Sequence, residues 1–377
     1  MTTRLLIFLT DDTSSILVRG QLKFLINKDF DVHVGVCQSS RLEVNKFDDG
    51  VVVHPIDFVR QPSPLRDLRS LIQAIRLIHN LRPDVVHAST PKAGLLGMIA
   101  ARMCRIPIRA YQVRGLRYES ETGLARWLYR GAERLAMTCA TEVLFNSESL
   151  RALAEQDALV DEHRGIVLGS GNGVDCDHFS PARSGERTNN LRSLGIPDDA
   201  CVIGFVGRMT RDKGISDLVE VFDSIAAIST WLLLVGPFED GDALSSDLRT
   251  RIRRHPRIVH RDWIDDPRVA FTSIDVLAFP SYREGLPNAV LEAQACAVPV
   301  VGYAATGTID AVIDTETGFL VPVGDRKALE NSLRVTLEDH QLRQRLGIRA
   351  REYVITSFQQ RDVWERIAAV YRSTPRV

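Results

Sequence analysis

Short runs of β-branched and aliphatic residues alternate with amphipathic stretches along this chain. Segments 5–9, 31–37, 51–55, 84–88, 108–112, 142–145 and 166–168 read as strands of a first half. Apolar residues recur at helical spacing in 21–27, 65–80, 94–104, 125–140 and 147–156, which read as the intervening helices. The pattern then restarts, with strands expected at 201–206, 231–235, 258–260, 276–279 and 298–302. Helices are expected there at 215–228, 244–254, 287–296 and 326–337. Between the halves, 169–188 is rich in Gly, Ser, Asn and Asp and contains Pro181, a linker composition. Two rounds of βα alternation predict an α/β protein of two doubly wound, mostly parallel sheets, Rossmann-like, facing each other across a cleft. Ligands of such sheets bind beyond the carboxyl ends of the strands. The expected division is a first domain over 1–170, a linker over 171–188, a second domain over 189–356 and a closing helical segment over 357–377 that carries Trp364.

A chain of 377 residues exceeds what one core usually holds, which agrees with two domains. Hydrophobic residues at 45% and charged residues at 25% fit a soluble globular enzyme. No apolar run reaches the ~20 residues of a membrane-spanning helix, and the apolar start is too short for a secretory leader. Six cysteines stand without Cys-x-x-Cys spacing, so a reducing, cytoplasmic setting is expected rather than disulfides or zinc. The net charge of −1 hides an uneven distribution: from Arg60 to Arg134 there are 14 Lys and Arg against 5 Asp and Glu. Nucleic acid, anionic lipid or a phosphorylated acceptor would each suit that segment, and no nucleic-acid-binding motif accompanies it.

The most informative stretch is Tyr-Arg-Glu-Gly-Leu-Pro-Asn-Ala-Val-Leu-Glu-Ala over 282–293. Glu284 sits in a Gly-containing loop, and Glu292 is expected about two turns into the following helix, at ~3.6 residues per turn. Pro287 suits the first helical position. Free N–H groups around Leu286, Pro287 and Asn288 with the helix dipole behind them favour an anion, and flanking carboxylates can bind neutral hydroxyls. A phosphate bearing sugars is the ligand this suggests; an ordinary helix cap is a compatible reading. Glu292 lies among apolar neighbours, where an acid needs a partner. Upstream, Gly204-Phe-Val-Gly-Arg-Met-Thr-Arg-Asp-Lys-Gly214 joins a strand to a helix. Gly207 there permits close backbone approach, and Arg208 and Lys213 can converge on a diphosphate.

The Glu-x7-Glu pattern, with Gly207–Gly214, Asn172-Gly-Val-Asp175 and Thr90-Pro-Lys-Ala-Gly94, resembles the retaining, nucleotide-sugar-dependent glycosyltransferases of family four. Arg114-Gly-Leu-Arg-Tyr-Glu119 and Gly169-Ser-Gly-Asn-Gly173 are similar to the branch that builds bacterial capsule, exopolysaccharide or lipid-linked glycan units. The resemblance implies the GT-B architecture, with the final helix, 358–371, crossing back to the first domain. It implies Arg208, Lys213 and Glu284 as the catalytic set, and Gly207, Gly285, Leu286, Pro287, Asn288 and Glu292 as further donor contacts. Glu284 would meet the donor sugar and Glu292 the ribose; base contacts are expected around 263–265 on position alone. The co-substrate would be a nucleoside diphosphate sugar, a UDP-sugar first among candidates, with neither bound cofactor nor metal.

The acceptor side departs from the family pattern. Ser89 stands where many relatives have the second histidine of His-x-His, and Arg114 where a histidine often precedes Gly115. Lys92 could meet an acceptor phosphate, and His87 and Arg114 lie where the acceptor hydroxyl would approach. His87 at a strand end equally fits a structural histidine. Ser14 and Ser15, beside Thr13, could contact a phosphate or simply cap the next helix. The segment 114–134 interleaves cations with Tyr118, Trp127 and Tyr129, which suits either docking on an anionic membrane or a packed helix with a solvated basic face. The expected protein is thus a cytoplasmic glycosyltransferase, peripheral at the inner face of the membrane, acting on a lipid-linked saccharide. The alternative is a non-catalytic nucleotide-sugar-binding scaffold of the same fold.

Overall fold

The structure is a computed structural model that describes residues 2–37, 47–59, 63–162, 164–225, 229–239 and 242–373, apart from the side chains of 12 and 13. Its chain divides into two compact units, 1–173 with 361–377, and 174–360.

In the first unit the strands are β1 (Thr3–Asp11), β2 (Phe30–Cys37), β3 (Val52–Pro55), β4 (Val85–Ala88), β5 (Ile108–Val113), β6 (Glu142–Phe145) and β7 (Gly165–Val167). The helices are α1 (Gln21–Ile26), α2 (Pro64–Leu81), α3 (Pro91–Met103), α4 (Gly123–Cys139) and α5 (Glu148–Gln156). The strands form one parallel sheet in the order β3-β2-β1-β4-β5-β6-β7. The central strand runs Leu5 to Leu9 without a polar residue and is wholly buried, as a strand covered on both faces must be. Its alternate side chains feed two cores: Leu6 and Phe8 pack with α2, α3 and α4 residues, Leu5, Ile7 and Leu9 with Leu22 and Leu25.

The second unit comprises α6 (Glu186–Leu194), β8 (Cys201–Val206), α7 (Ile215–Ile225), β9 (Thr230–Val235), α8 (Ser246–Arg254), β10 (Ile258–Arg261), α9 (Pro267–Phe271), β11 (Val276–Phe279) and α10 (Asn288–Ala295). It continues through β12 (Val300–Tyr303), α11 (Thr308–Ala311), β13 (Gly318–Val321), α12 (Arg326–Glu338) and α13 (His340–Ser357). Its parallel sheet has the order β10-β9-β8-β11-β12-β13. That is the Rossmann order, which reverses direction at β8 and β11 and so opens a crevice at their carboxyl ends. The last helix, α14 (Gln360–Arg372), packs Val363, Ile367, Ala368 and Tyr371 into the core of the first unit. Trp364 donates from Nε1 to Asn172 Oδ1 at 2.7 Å, and its ring closes over Gly20, where a Cβ would lie 2.9 Å away.

Several elements differ from the sequence reading. The linker-like stretch ends inside α6, which begins at Glu186. Strand β13 was not expected, since Gly318-Phe-Leu-Val is short and opens on glycine; its pairing with β12 places it. Helix α13 was not expected either, because its charged residues wrap all round it. Residues 226–228 of the helix expected over 215–228 lie outside the described residues.

Helix α13 fixes the helix that carries Glu292. At Gly347 a Cβ would come within 2.1 Å of the Ala297 carbonyl oxygen, backbone that cannot rotate away. Gly347→Ala is therefore expected to destabilise the fold by about 1–3 kcal/mol, the usual cost of overpacking. Denaturant titration checks this; an unchanged midpoint would contradict the packing described.

Candidate functional site

The topological switch of the second sheet brings two loops together. Strand β8 runs into Gly207, whose amide donates to Val235 O at 2.9 Å, and the chain then turns through a short 3-10 segment, Arg211–Lys213. Gly214 closes that turn at φ +66°, and a Cβ there would stand 2.1 Å from the Pro280 carbonyl oxygen. Only glycine combines that dihedral with that contact. The loop after β11 is thereby held against the loop after β8: the Tyr282 amide donates to Asp212 O at 2.9 Å, and Arg283 pairs with the Asp212 carboxylate at 3.3 Å. Burial alone would raise the Asp212 carboxyl, but Lys213, the Thr210 hydroxyl and the arginines at 283 and 208 together hold it below its ordinary value.

This arrangement makes Lys213 and Glu284 an ion pair, Nζ to Oε1 at 2.6 Å, with side chains only 12% and 14% exposed. Lys213 lies in the first loop and Glu284 in the second, 71 residues apart, so the close approach of the backbones joins them. The Glu284 amide donates to Thr306 O at 3.0 Å. Gly307, at φ +76°, lies so near that a Cβ would come within 2.7 Å of Gly285 and 2.8 Å of Glu284. A third loop, after β12, thus completes the floor. Thr306 and Gly307 carried no role in the sequence reading; Ala-Ala-Thr-Gly directly after a buried strand was the available signal. Tyr282 and Tyr303 both donate to Asp217 Oδ2, at 2.6 and 2.8 Å, which ties the floor to the first turn of α7.

Helix α10 begins at Asn288, with Pro287 as its N-cap at φ −79° and ψ 109°. Pro287 therefore precedes the helix instead of opening it: its own carbonyl accepts from Val290 and Leu291, so the turn starts one residue later. Leu286 is buried beside it. Glu292 falls in the second turn, and burial alone pushes its carboxyl up to about 7. Arg208 does not converge with Lys213 here. It points to Glu239, Nη1 to Oε2 at 2.9 Å, and is about half exposed. A carboxylate in the loop after β9 attracts it, a partner the reading of the motif alone did not contain. Trp263 is exposed and donates to Asp265 at 3.2 Å.

In the first unit the sheet switches direction between β1 and β4. Thr10 at the end of β1 and Thr90 after β4 share a hydrogen bond of 2.7 Å. Ser14 does not cap the helical turn that follows β1: Asp11 is the cap, its Oδ1 accepting from both the amide and the hydroxyl of Ser14 at 3.2 Å, and Ser15 is half-buried beside it. Lys92 is held by both Asp67 oxygens at 2.7 and 2.8 Å. His87 is buried edge-on to Tyr371 at 5.8 Å. Burial, then the Arg114 charge, drive its pKa down to about 3 despite Gln112, so it is neutral at pH 7. Arg114 donates to Gln112 Oε1 at 3.1 Å and Leu17 O at 3.3 Å, and burial lowers it to about 10. Gly171 makes room for that guanidinium: a Cβ would sit 2.5 Å from Arg114 Nη1. The structure thus brings His87 and Arg114 together, whereas Lys92 is drawn to α2.

Tyr118 must be removed from the interfacial aromatics, because it is fully buried with its hydroxyl donating to Asp157 at 2.6 Å. Tyr129 lies under the Arg117 guanidinium at 4.4 Å. Trp127 and Leu124, each 73% exposed, are open to solvent. Among the described residues no helix is long and apolar enough to cross a membrane; Arg60 lies outside them.

Two units, each built on a doubly wound parallel sheet, make up the GT-B fold. The family described as glycosyl transferases group 1 matches residues 186–353, and the glycosyl transferase 4-like domain matches 18–171. The chain is 35% identical over 361 residues to the capsular polysaccharide biosynthesis glycosyltransferase CapM of Staphylococcus aureus, covering 95% of this chain and 93% of that one. It is 27% identical to the UDP-Gal:alpha-D-GlcNAc-diphosphoundecaprenol alpha-1,3-galactosyltransferase of Escherichia coli, covering 84% and 82%. The solved structure of Anabaena Alr3699/HepE in complex with UDP and glucose superposes with a TM-score of 0.82 at 20% identity, covering 97% and 98%. The chain belongs to the group 1 glycosyltransferase family.

Glu292 gives a pH test. A carboxyl raised from 4.5 to about 7 adds stability below the unfolded value, and that contribution is lost as pH rises through about 7. Glu292→Gln carries no charge to bury. It is expected to match the parent protein near pH 4.5 and exceed it at pH 8, by at most about 3 kcal/mol and less where solvent reaches the carboxyl. Denaturant midpoints across that range check the sign.

Proposed function

We propose that this glycosyltransferase moves a sugar from a nucleoside diphosphate sugar to a hydroxyl of a lipid-diphosphate-linked saccharide, with retention at the anomeric carbon, in cell-surface polysaccharide synthesis. The carrying observation is the desolvated Lys213–Glu284 pair beside the start of α10, at the switch point of the second sheet. Segment 189–356 is read as the donor domain and 1–170 as the acceptor domain. UDP-sugars head the donors to try, since Alr3699/HepE has the same fold and was solved with UDP. Relatives named for capsular polysaccharide and for a diphosphoundecaprenol acceptor support the product class.

On donor binding the pair separates. Lys213 turns to the diphosphate and Glu284 to the hydroxyls of the transferred sugar, so each buried charge exchanges one partner for another and neither is left bare. Arg208 leaves Glu239 for the same diphosphate, and the amides around Leu286, Pro287 and Asn288 meet its other oxygens, with Gly207 and Gly285 giving backbone access. Glu292 receives the ribose hydroxyls. In the transfer the bond from the anomeric carbon to the β-phosphate oxygen breaks and the bond to the acceptor oxygen forms. The acceptor proton passes to the departing phosphate oxygen. Arg114 and Lys92 face the acceptor's charge, with His87 and the Ser14–Ser15 turn lining its approach. The exposed Leu124 and Trp127 support the reading that the enzyme rests against the inner face of an anionic membrane.

Purified protein offered UDP-, GDP- and dTDP-sugars with a diphosphate-lipid saccharide should yield a glycosylated product by mass spectrometry with one donor class. Lys213→Ala and Glu284→Ala are each expected to lower turnover by about 10²–10³-fold, the scale for losing one preorganised charge at the reacting centre, with unchanged circular dichroism. Parental turnover in either variant would refute the assigned roles.

A further inference from the structure

The first unit holds a cavity of about 320 Å³, and of its lining the transfer reading uses only Lys92. One wall is α4, which presents Ala125, Leu128, Ala132 and Ala136, spaced so that they fall on one stripe of the helix. Leu95 and Leu96 of α3 supply another. From Ala125 to Ala136 is eleven residues, about 16 Å of helix. A volume of this size spread over that length is a narrow slot rather than a round hollow, and it sits at the lower end of the ~300–1,000 Å³ range of ligand pockets.

Exposure gives the slot a direction. Leu128 at one end is open to solvent, whereas Glu133 and Ala136 at the other are buried. The mouth therefore lies at the start of α4, where the neighbouring Leu124 and Trp127 are exposed, and beside Asp67 of α2, whose neighbours Leu65 and Leu68 are also exposed. Large apolar side chains thus stand exposed next in sequence to lining residues on both helices, α2 and α4.

The charged groups lining the slot are compensated from within. Lys92 pairs with Asp67, Arg117 with Glu121 at 3.6 Å, and the Tyr111 hydroxyl donates to Glu133 at 2.7 Å on the floor. Such a lining has little to offer a nucleotide or a free sugar, and it suits an unbranched run of hydrocarbon. Outside the mouth the balance changes, because Arg66 and Arg126 are exposed and complement an anionic headgroup.

We infer that this slot takes the isoprenoid chain of the lipid-linked acceptor next to its diphosphate, with the diphosphate at the mouth between Lys92 and the exposed arginines. The inference rests on the acceptor reading above and adds the place where the chain is gripped. It would make the enzyme recognise its acceptor by the lipid as well as by the saccharide.

Calorimetric titration of the full chain with farnesyl phosphate, without donor or saccharide, tests it. Saturable binding of one molecule is expected, weakened at least tenfold by Ala132→Trp, which fills the slot, and by Leu128→Glu, which places a charge at the solvent-exposed mouth and so spares the fold. A benzophenone-bearing farnesyl diphosphate should label peptides from α3 and α4. Absence of saturable binding, equal binding of palmitate, parental affinity in Leu128→Glu, or labelling confined to other peptides would each overturn the assignment. Because the assay contains no sugar donor, it can fail while donor-dependent transfer to the saccharide persists, so the two readings fall separately.

Discussion

The second unit depends on one constraint, the approach of three strand-end loops to within backbone contact. Gly214 lies against Pro280 and Gly307 against Glu284 and Gly285, both glycines in the left-handed region where a side chain would be strained as well as obstructed. With those contacts made, Lys213 and Glu284 meet each other. Asp212, Asp217, Tyr282 and Tyr303 then act as ties that keep the loops from separating.

A lysine and a glutamate with so little exposure are costly to desolvate, and their attraction repays that only with good geometry. Their 2.6 Å contact supplies it. The cations of the loop after β8 therefore carry built-in counterions: Glu284 for Lys213, Glu239 for Arg208 and Asp212 for the loop itself. The same economy holds in the first unit, where Asp67 holds Lys92. A site assembled this way keeps its charges folded and in place, and a polyanion must compete for them by offering more than one oxygen at once.

Much of this was legible in the sequence. The alternation of buried apolar runs with amphipathic stretches determines Rossmann-like sheets because strands covered on both faces must be continuously apolar, as Leu5–Leu9 and Val276–Phe279 are. Glycines at strand ends marked the loops, and the spacing of Glu284 and Glu292 around Pro287 marked α10. Partner choice was not legible. That Arg208 would face Glu239, or Lys92 Asp67, depends on distances between segments 25 or more residues apart, which no local pattern encodes. Tyr118 failed for the same reason: an aromatic among arginines looks interfacial until Asp157 is found beneath it. Strand β13 and helix α13 were missed because tertiary packing, not periodicity, holds them.

Arg114 and Gly171 illustrate how two positions can become one unit of inheritance. The guanidinium occupies the space where any side chain at 171 would begin, and it is lodged against Gln112, which in turn donates to the Gly171 carbonyl. Enlarging residue 171 evicts the arginine, while shrinking residue 114 leaves an unfilled hollow. A lineage that traded Arg114 for the histidine expected there would relieve the tighter of two contacts at residue 171, leaving Asn146 Nδ2 at 3.0 Å from a Cβ, so changes at 114 and 171 should travel together through descent.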